Sequence, residues 1–256
     1  MSSMTTESWA IRQREIFASR RRFFRDVLFR VLAWMFLDLT VTGVENIPAS
    51  GPVILMINHM TALDPIVVLG TAKPRFVVPM SKIENFQHPL TGLLVRSWGA
   101  YPVRRGQVDR EALNIAIQLM EAGEMTLIAP EGTRNRALQR PKDGLAFIAT
   151  RTNAMIVPTA IFNAETWKRD LFIPWRRTPV HVSYGPAFRL RKPESGRVPR
   201  EVLHQMTDEM MYQLALLLPE HNRGEYSDLS RMTTEYLDFV RQDTPQDTQP
   251  QKESVL

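Results

Sequence analysis

Residues 53–65 read VILMINHMTALDP, and the change of pattern within them decides the fold. Val53–Ile57 is an unbroken apolar run in which Val53, Ile54 and Ile57 are β-branched. A strand with one wet face alternates apolar and polar side chains, so a continuous run fits a strand buried on both faces. Asn58 and His59 end the run. Asp64-Pro65 then reads as an N-cap followed by a first-turn proline, which predicts a helix from that point. A doubly buried strand leading into a helix is the unit from which helix-covered sheets are built.

Outward from this unit the same alternation recurs. Short apolar runs at 76–78, 100–103, 125–129, 155–161 and 180–184 predict further strands, and 40–44 predicts one ahead of the unit. Helical stretches are expected at 109–122, 144–152 and 201–218, and residues 9–39 read as one broken helix or two. The expected fold class is α/β: a single domain with a largely parallel or mixed central sheet flanked by helices, preceded by an N-terminal amphipathic helical segment. The segments expected are 1–39, basic early and apolar late, the α/β domain at 40–241, and a tail at 242–256. That tail is rich in Gln, Asp, Thr and Pro and is expected to be disordered.

Composition narrows the chemistry. The 256 residues are enough for one well-buried core, and they include no cysteine. Disulfides, thiolate nucleophiles and cysteine-rich zinc sites are thereby excluded. The formal net charge is +5, and its positive part gathers early, with Arg12, Arg14, Arg20, Arg21, Arg22, Arg25 and Arg30 against Glu7, Glu15 and Asp26. Such a cluster suits a phosphate-rich partner, an anionic membrane face or a nucleic acid, and equally a solvated helix face. No base-reading module is recognisable, so nucleic acid is not expected as a partner. The apolar run 27–39 contains Arg30 and Asp38 and falls short of the roughly 20 residues needed to cross a bilayer. With Phe23, Phe24, Phe29, Trp34, Met35 and Phe36 along it, the segment fits a helix lying in the membrane interface. A secretory leader is not expected, because the first apolar run follows many arginines.

His59 sits directly after a buried strand, at the sheet's C-terminal edge, where α/β folds carry their sites. Asp64, five residues on, is placed to accept from one ring nitrogen, which leaves the other free to take a proton from a hydroxyl. This is a base with its orienting carboxylate and no serine, so a hydroxyl of the substrate can serve as the nucleophile. Taken alone, the pair reads equally well as a satisfied strand end and a helix cap. Three further stretches change that. Pro130-Glu131-Gly132-Thr133-Arg134 ends another apolar strand and offers a glycine, a hydroxyl and a forked guanidinium suited to phosphate. Gly99 to Gly106, reading GAYPVRRG, ends a strand in paired arginines, and Ile156-Val157-Pro158 supplies an apolar wall.

In the order NHMTALDP, YPVRRG, PEGTRNR and IVPTA, the chain resembles the four-block signature of the glycerolipid acyltransferase family, whose best-known members are 1-acyl-sn-glycerol-3-phosphate acyltransferases. The resemblance spans roughly residues 40–190. It implies that His59 is the general base and Asp64 its partner. It also implies that Arg105, Glu131, Gly132, Thr133, Arg134 and Lys82 hold the acceptor's phosphate and glycerol. The implied reaction moves a fatty-acyl group from acyl-CoA or acyl-carrier protein to a lysophospholipid, without metal or other cofactor. The implied setting is an anionic membrane surface on the cytoplasmic face. An ester or thioester hydrolase using the same pair, or a non-catalytic lipid-binding protein, is the alternative. Two positions depart from the family pattern: Arg104 stands where an acidic residue is frequent, and Pro102 where an aromatic or aliphatic one is common.

Overall fold

The computed structural model describes residues 16–104, 106, 109–193 and 198–240. The readings made for residues 1–15 and 242–256, and for Arg105, lie outside the described residues.

Helix α1 spans 18–36 in three continuous segments: α-helical Ala18–Phe23, π-helical Phe24–Phe29 and α-helical Arg30–Phe36. Strand β1 (Leu37–Thr42) follows without a loop, because Leu37 turns extended and pairs with the start of a later strand. The strand expected at 40–44 therefore begins earlier, and the apolar run 27–39 is divided between helix and strand. Next come β2 (Val53–Ile57), α2 (Asp64–Thr71), β3 (Val77–Lys82), α3 (Ile83–Gln87), α4 (Pro89–Trp98), β4 (Tyr101–Val103), α5 (Arg110–Glu121) and β5 (Met125–Ile128). The chain continues through α6 (Gly144–Thr152), β6 (Met155–Phe162), α7 (Trp167–Asp170), β7 (Thr178–Tyr184), β8 (Phe188–Leu190), α8 (Arg200–Leu216) and β9 (Leu237–Phe239).

The sheet runs in the order β1-β7-β6-β2-β5-β3-β4, with β8 on β6 and β9 on β8. Strands β2 to β6 along this path are mutually parallel; β7 is antiparallel to β6, and β1 is parallel to β7. The sheet is mixed, with a parallel centre. Every residue of β2 and β5 is buried, as their unbroken apolar sequences require, whereas β1 and β7 alternate buried with more exposed positions. In β2 the pleat sends Ile54 and Met56 into one core, with α5, α6 and α8, and Val53, Leu55 and Ile57 into another, with α1 and α2. Each such aliphatic side chain contributes about 1.5–3 kcal/mol on burial.

Three details fix α1 to the domain. Phe29 lies flat against Gly70 of α2, where any Cβ would collide with its ring. Arg21 is buried and donates from Nε to Trp98 O at 2.7 Å, while Trp98 Nε1 donates to Val77 O at 2.8 Å. Arg25 pairs with Asp26 at 2.8 Å and stacks on Phe76, 4.2 Å from the ring centroid. Of the described early arginines, Arg20, Arg22 and Arg30 face solvent, and Arg21 and Arg25 serve the fold.

Candidate active site

The end of β2 is held in register by a side chain acting as backbone. Asn58 Nδ2 donates to Ile161 O at 2.7 Å, and Ile161 N donates to Asn58 Oδ1 at 2.8 Å. This exchange continues the β2–β6 ladder by one residue and sets His59 just past the edge of the sheet. His59 is 6% exposed.

Asp64 is the first residue of α2 and not its N-cap, which corrects the sequence expectation; Leu63 occupies the cap position. The reason lies in where the carboxylate turns. Its Oδ2 accepts from Met60 N and Thr61 N, each at 2.6 Å, and from His59 Nδ1 at 3.3 Å, and its Oδ1 accepts from Thr61 Oγ1 at 2.6 Å. Asp64 is wholly buried, and these four donors replace the water it has lost. With Nδ1–H given to Asp64, the lone pair of His59 rests on Nε2.

The loop after β5 closes over the histidine. Arg134 Nε donates to His59 Nε2 at 3.4 Å, a long contact, and Asn135 N donates to His59 O at 2.9 Å. Glu131 is buried and accepts through Oε2 from Asn135 Nδ2 at 3.1 Å and Gln139 N at 3.0 Å, with the His59 amide also bonded to it. Burial pushes its carboxyl above the usual range, partly offset by those three donors. Glu131 thus ties the loop together. Gly132 stands at φ +71°, which glycine adopts without strain, and Thr133 Oγ1 accepts from Asn135 Nδ2 at 3.2 Å.

A cavity of about 1010 Å³ opens beside this arrangement. His59, Pro65, Pro130 and Gly132 form one end of it. From there it runs between α5 and α6 over Ile57, Met80, Leu113, Ile117, Leu127, Ile128, Leu145, Phe147 and Ile148. Arg104, Arg110, Lys142 and Arg151 also line it, with Asp109 and Asp143 among them. Arg104, more than half exposed, stands 3.5 Å from the Glu111 carboxylate, a weak surface pair.

Of the residues singled out in the sequence, His59, Asp64, Glu131, Gly132, Thr133 and Arg134 meet at the β2–β5 edge. Lys82 ends β3 at the same edge but is not among the cavity-lining residues; it stands at the N-cap of α3. Asn58, Thr61, Asn135 and Gln139 carry the local hydrogen bonding and were assigned no role in the sequence. Asn58 had a signal, its place at the strand end beside the histidine. Lys142, Arg110 and Arg151 had none, since only the packing of α5 against α6 brings them together.

Known proteins share both sequence and fold with this arrangement. A family model described as Acyltransferase matches residues 38–162. The 1-acyl-sn-glycerol-3-phosphate acyltransferase of Borreliella burgdorferi is 31% identical over 152 residues, covering 57% of this chain and 60% of that protein. The enzyme of the same name from Bacillus subtilis is 30% identical over 129 residues, covering 50% of this chain and 64% of that one. The match therefore spans less than two thirds of either relative's length. A crystal structure of the 1-acyl-sn-glycerophosphate acyltransferase from Thermotoga maritima superposes with a TM-score of 0.56 at 22% identity, over 86% of this chain and 82% of that one, and shares the fold. The stretch that matches the acyltransferase family model contains His59, Asp64 and the loop from Pro130.

Proposed function

We propose that the protein transfers a fatty-acyl group from an acyl thioester to the free hydroxyl of 1-acyl-sn-glycerol-3-phosphate, giving phosphatidic acid. The observation that carries this reading is the setting of His59: Nδ1 turned to Asp64, Nε2 turned to Arg134, and an apolar cavity alongside.

In this mechanism the acceptor hydroxyl enters between His59 and Arg134 and replaces their 3.4 Å contact. His59 Nε2 takes the hydroxyl proton as the oxygen attacks the thioester carbonyl. Asp64 keeps the ring oriented and balances the imidazolium that forms. The tetrahedral intermediate collapses with loss of the thiolate, which recovers the proton from His59. General-base assistance of this kind contributes about 10²–10⁴-fold, and positioning supplies much of the remainder. Arg134 beside the base suits the acceptor phosphate, with Thr133 and Gly132 within the same loop. The apolar walls between α5 and α6 suit an acyl chain. Lys142, Arg110 and Arg151 suit a donor that carries phosphate, as both acyl-CoA and acyl-carrier protein do.

No described helix is long and apolar enough to cross a membrane. The outer face of α1 nevertheless exposes Phe23, Val27, Val31, Trp34 and Met35 at helical spacing, next to Arg20, Arg22 and Arg30. That stripe supports a protein seated on an anionic membrane surface, where a lysophospholipid acceptor resides. Labelled acyl-CoA and lysophosphatidic acid, incubated with the purified protein, are expected to yield labelled phosphatidic acid. Free fatty acid without diacyl product would show a hydrolase and end this reading.

A further inference from the structure

A short loop at the active-site end of the sheet carries apolar side chains that the chain leaves uncovered. From within α7 to the start of β7, residues Lys168 to Arg177 read KRDLFIPWRR. Phe172 is 87% exposed and Trp175 101%, beside Leu171 and Ile173 at 45% and 38%. Trp175 also stands at φ +65°, a left-handed conformation that costs a bulky residue energy. Neither the strain nor the exposure is compensated by packing among the described residues.

The base of this loop is nonetheless firmly held. The buried Asp170 carboxylate accepts from the Thr166 and Thr178 hydroxyls at 2.5 and 3.1 Å, bridging the two ends of the loop. It also pairs with Arg176 at 2.9 Å and Arg169 at 3.5 Å, and Arg177 Nε donates to Leu37 O at 2.8 Å. The tip is thus presented on a fixed support and ringed by cations.

Register shows which way it lies. Because β7 is antiparallel to β6, the start of β7 stands at the edge where β2 and β6 end, and His59 follows β2 there. Strand β7 is two places from β2, roughly 10 Å across the sheet. Leu37 pairs with Thr178, so the last turn of α1, with exposed Trp34 and Met35, arrives at the same edge.

We infer that the loop 171–175 is a second lipid-contacting element, seating Phe172 and Trp175 in the interfacial layer of an anionic bilayer while Lys168, Arg169, Arg176 and Arg177 meet the headgroups. The inference rests on the membrane-surface reading of α1 and adds to it an orientation: the edge bearing His59 faces the lipid. A convex apolar tip offers no groove to a peptide, whereas a fluid bilayer closes around it. Exposed tryptophan flanked by arginine is the composition that membrane interfaces favour.

The absence of cysteine makes the test direct, since Phe172→Cys accepts a single polarity-sensitive fluorophore. With vesicles of phosphatidylcholine and phosphatidylglycerol its emission is expected to shift to the blue. An unshifted spectrum, while the unlabelled chain sediments with the same vesicles, overturns the loop's role and leaves the α1 reading standing. If the unlabelled chain does not sediment with them, both fail. The pair Phe172→Ser and Trp175→Ser is expected to lower vesicle partition about tenfold, with transfer between short-chain monomeric substrates unchanged. Trp175→Gly, which relieves the backbone, is expected to weaken partition without lowering the melting temperature. Partition equal to the parent's, or an equal loss on monomeric substrates, assigns the loop to the fold and overturns the inference.

Discussion

The histidine pocket and the 171–175 loop stand at one edge of one sheet and are built on opposite terms. Around His59 and Asp64 the side chains are polar and buried, and each finds its partner inside the chain: two amides, a hydroxyl and a ring nitrogen on one carboxylate. In the loop the side chains are apolar and exposed, and Trp175 meets nothing. The first arrangement is complete without a ligand except at His59 Nε2, where the contact from Arg134 is long at 3.4 Å. The second is complete only with something outside the chain. A site that does chemistry on lipids calls for both, fixed geometry at the base and adaptable contact at the rim. Helix α1 repeats the contrast within a single element, its inner arginines paired with the domain and its outer stripe bare.

If the pocket is a preset base, its removal has the largest effect of any substitution proposed for this protein. His59→Ala is expected to reduce transfer by about 10²–10⁴-fold, read as phosphatidic acid formed, with vesicle binding retained. An active His59→Ala protein would break the comparison outright, since the ring nitrogen facing Arg134 would then have no use. Asp64→Asn tests the cage around it. An amide in place of one carboxylate oxygen sets N–H against the Met60 and Thr61 amides, or leaves the Thr61 hydroxyl to face it. The expected cost is about 1–3 kcal/mol in a denaturant titration, with slower transfer as the ring loses its orientation. Unchanged stability would mean that the cage is not what holds Asp64 in place.

A smaller effect separates backbone from space. At Gly132 a Cβ would meet nothing closer than Lys142 Nζ at 3.6 Å, so Gly132→Ala adds only the strain of φ +71°. That strain is about 1 kcal/mol. At Gly70 the φ is ordinary but the Phe29 ring fills the space, so Gly70→Ala acts by lifting α1 from the domain. Thermal melts of the two variants, with and without vesicles, distinguish these causes: the first is expected to be indifferent to lipid and the second sensitive to it.

The sheet was readable because strands buried on both faces leave unbroken runs such as VILMI, and the pocket because its residues stand directly after such runs. Boundaries were less so. Leu37 belongs to an apolar run that reads as one helix, and only its pairing with Thr178 turns it into strand. The helices within 83–98 are bounded by punctuation at His88, Pro89 and Gly99. His88 accepts from Thr91 N at the start of α4, and Gly99 closes its end at φ +81°. Strands β8 and β9 are three residues each, too short to show a period. The part Glu131 plays in holding its own loop has no local signal. That Gln139 and Asn135 turn back to it depends on the course of the loop, which local sequence does not encode. The exposure of the segment 171–175 is not legible in the sequence, since aromatic residues before a strand ordinarily mark the core.

The smallest effect on the fold comes from the outer face of α1, and there smallness is itself the prediction. Trp34 is 74% exposed, so Trp34→Ser removes little packing and is expected to move stability by no more than about 0.5 kcal/mol. Arg21, on the inner face, is buried against Trp98, and Arg21→Ala is expected to cost about 1–3 kcal/mol, because it leaves the Trp98 carbonyl without that donor. Lipid should reverse the ranking. Vesicle partition is expected to fall for Trp34→Ser and to hold for whatever fraction of Arg21→Ala remains folded. If instead Trp34→Ser melts early and binds vesicles as the parent does, the outer stripe is packing against something within the chain. The division between a closed inner face and an open outer one would then have been drawn in the wrong place.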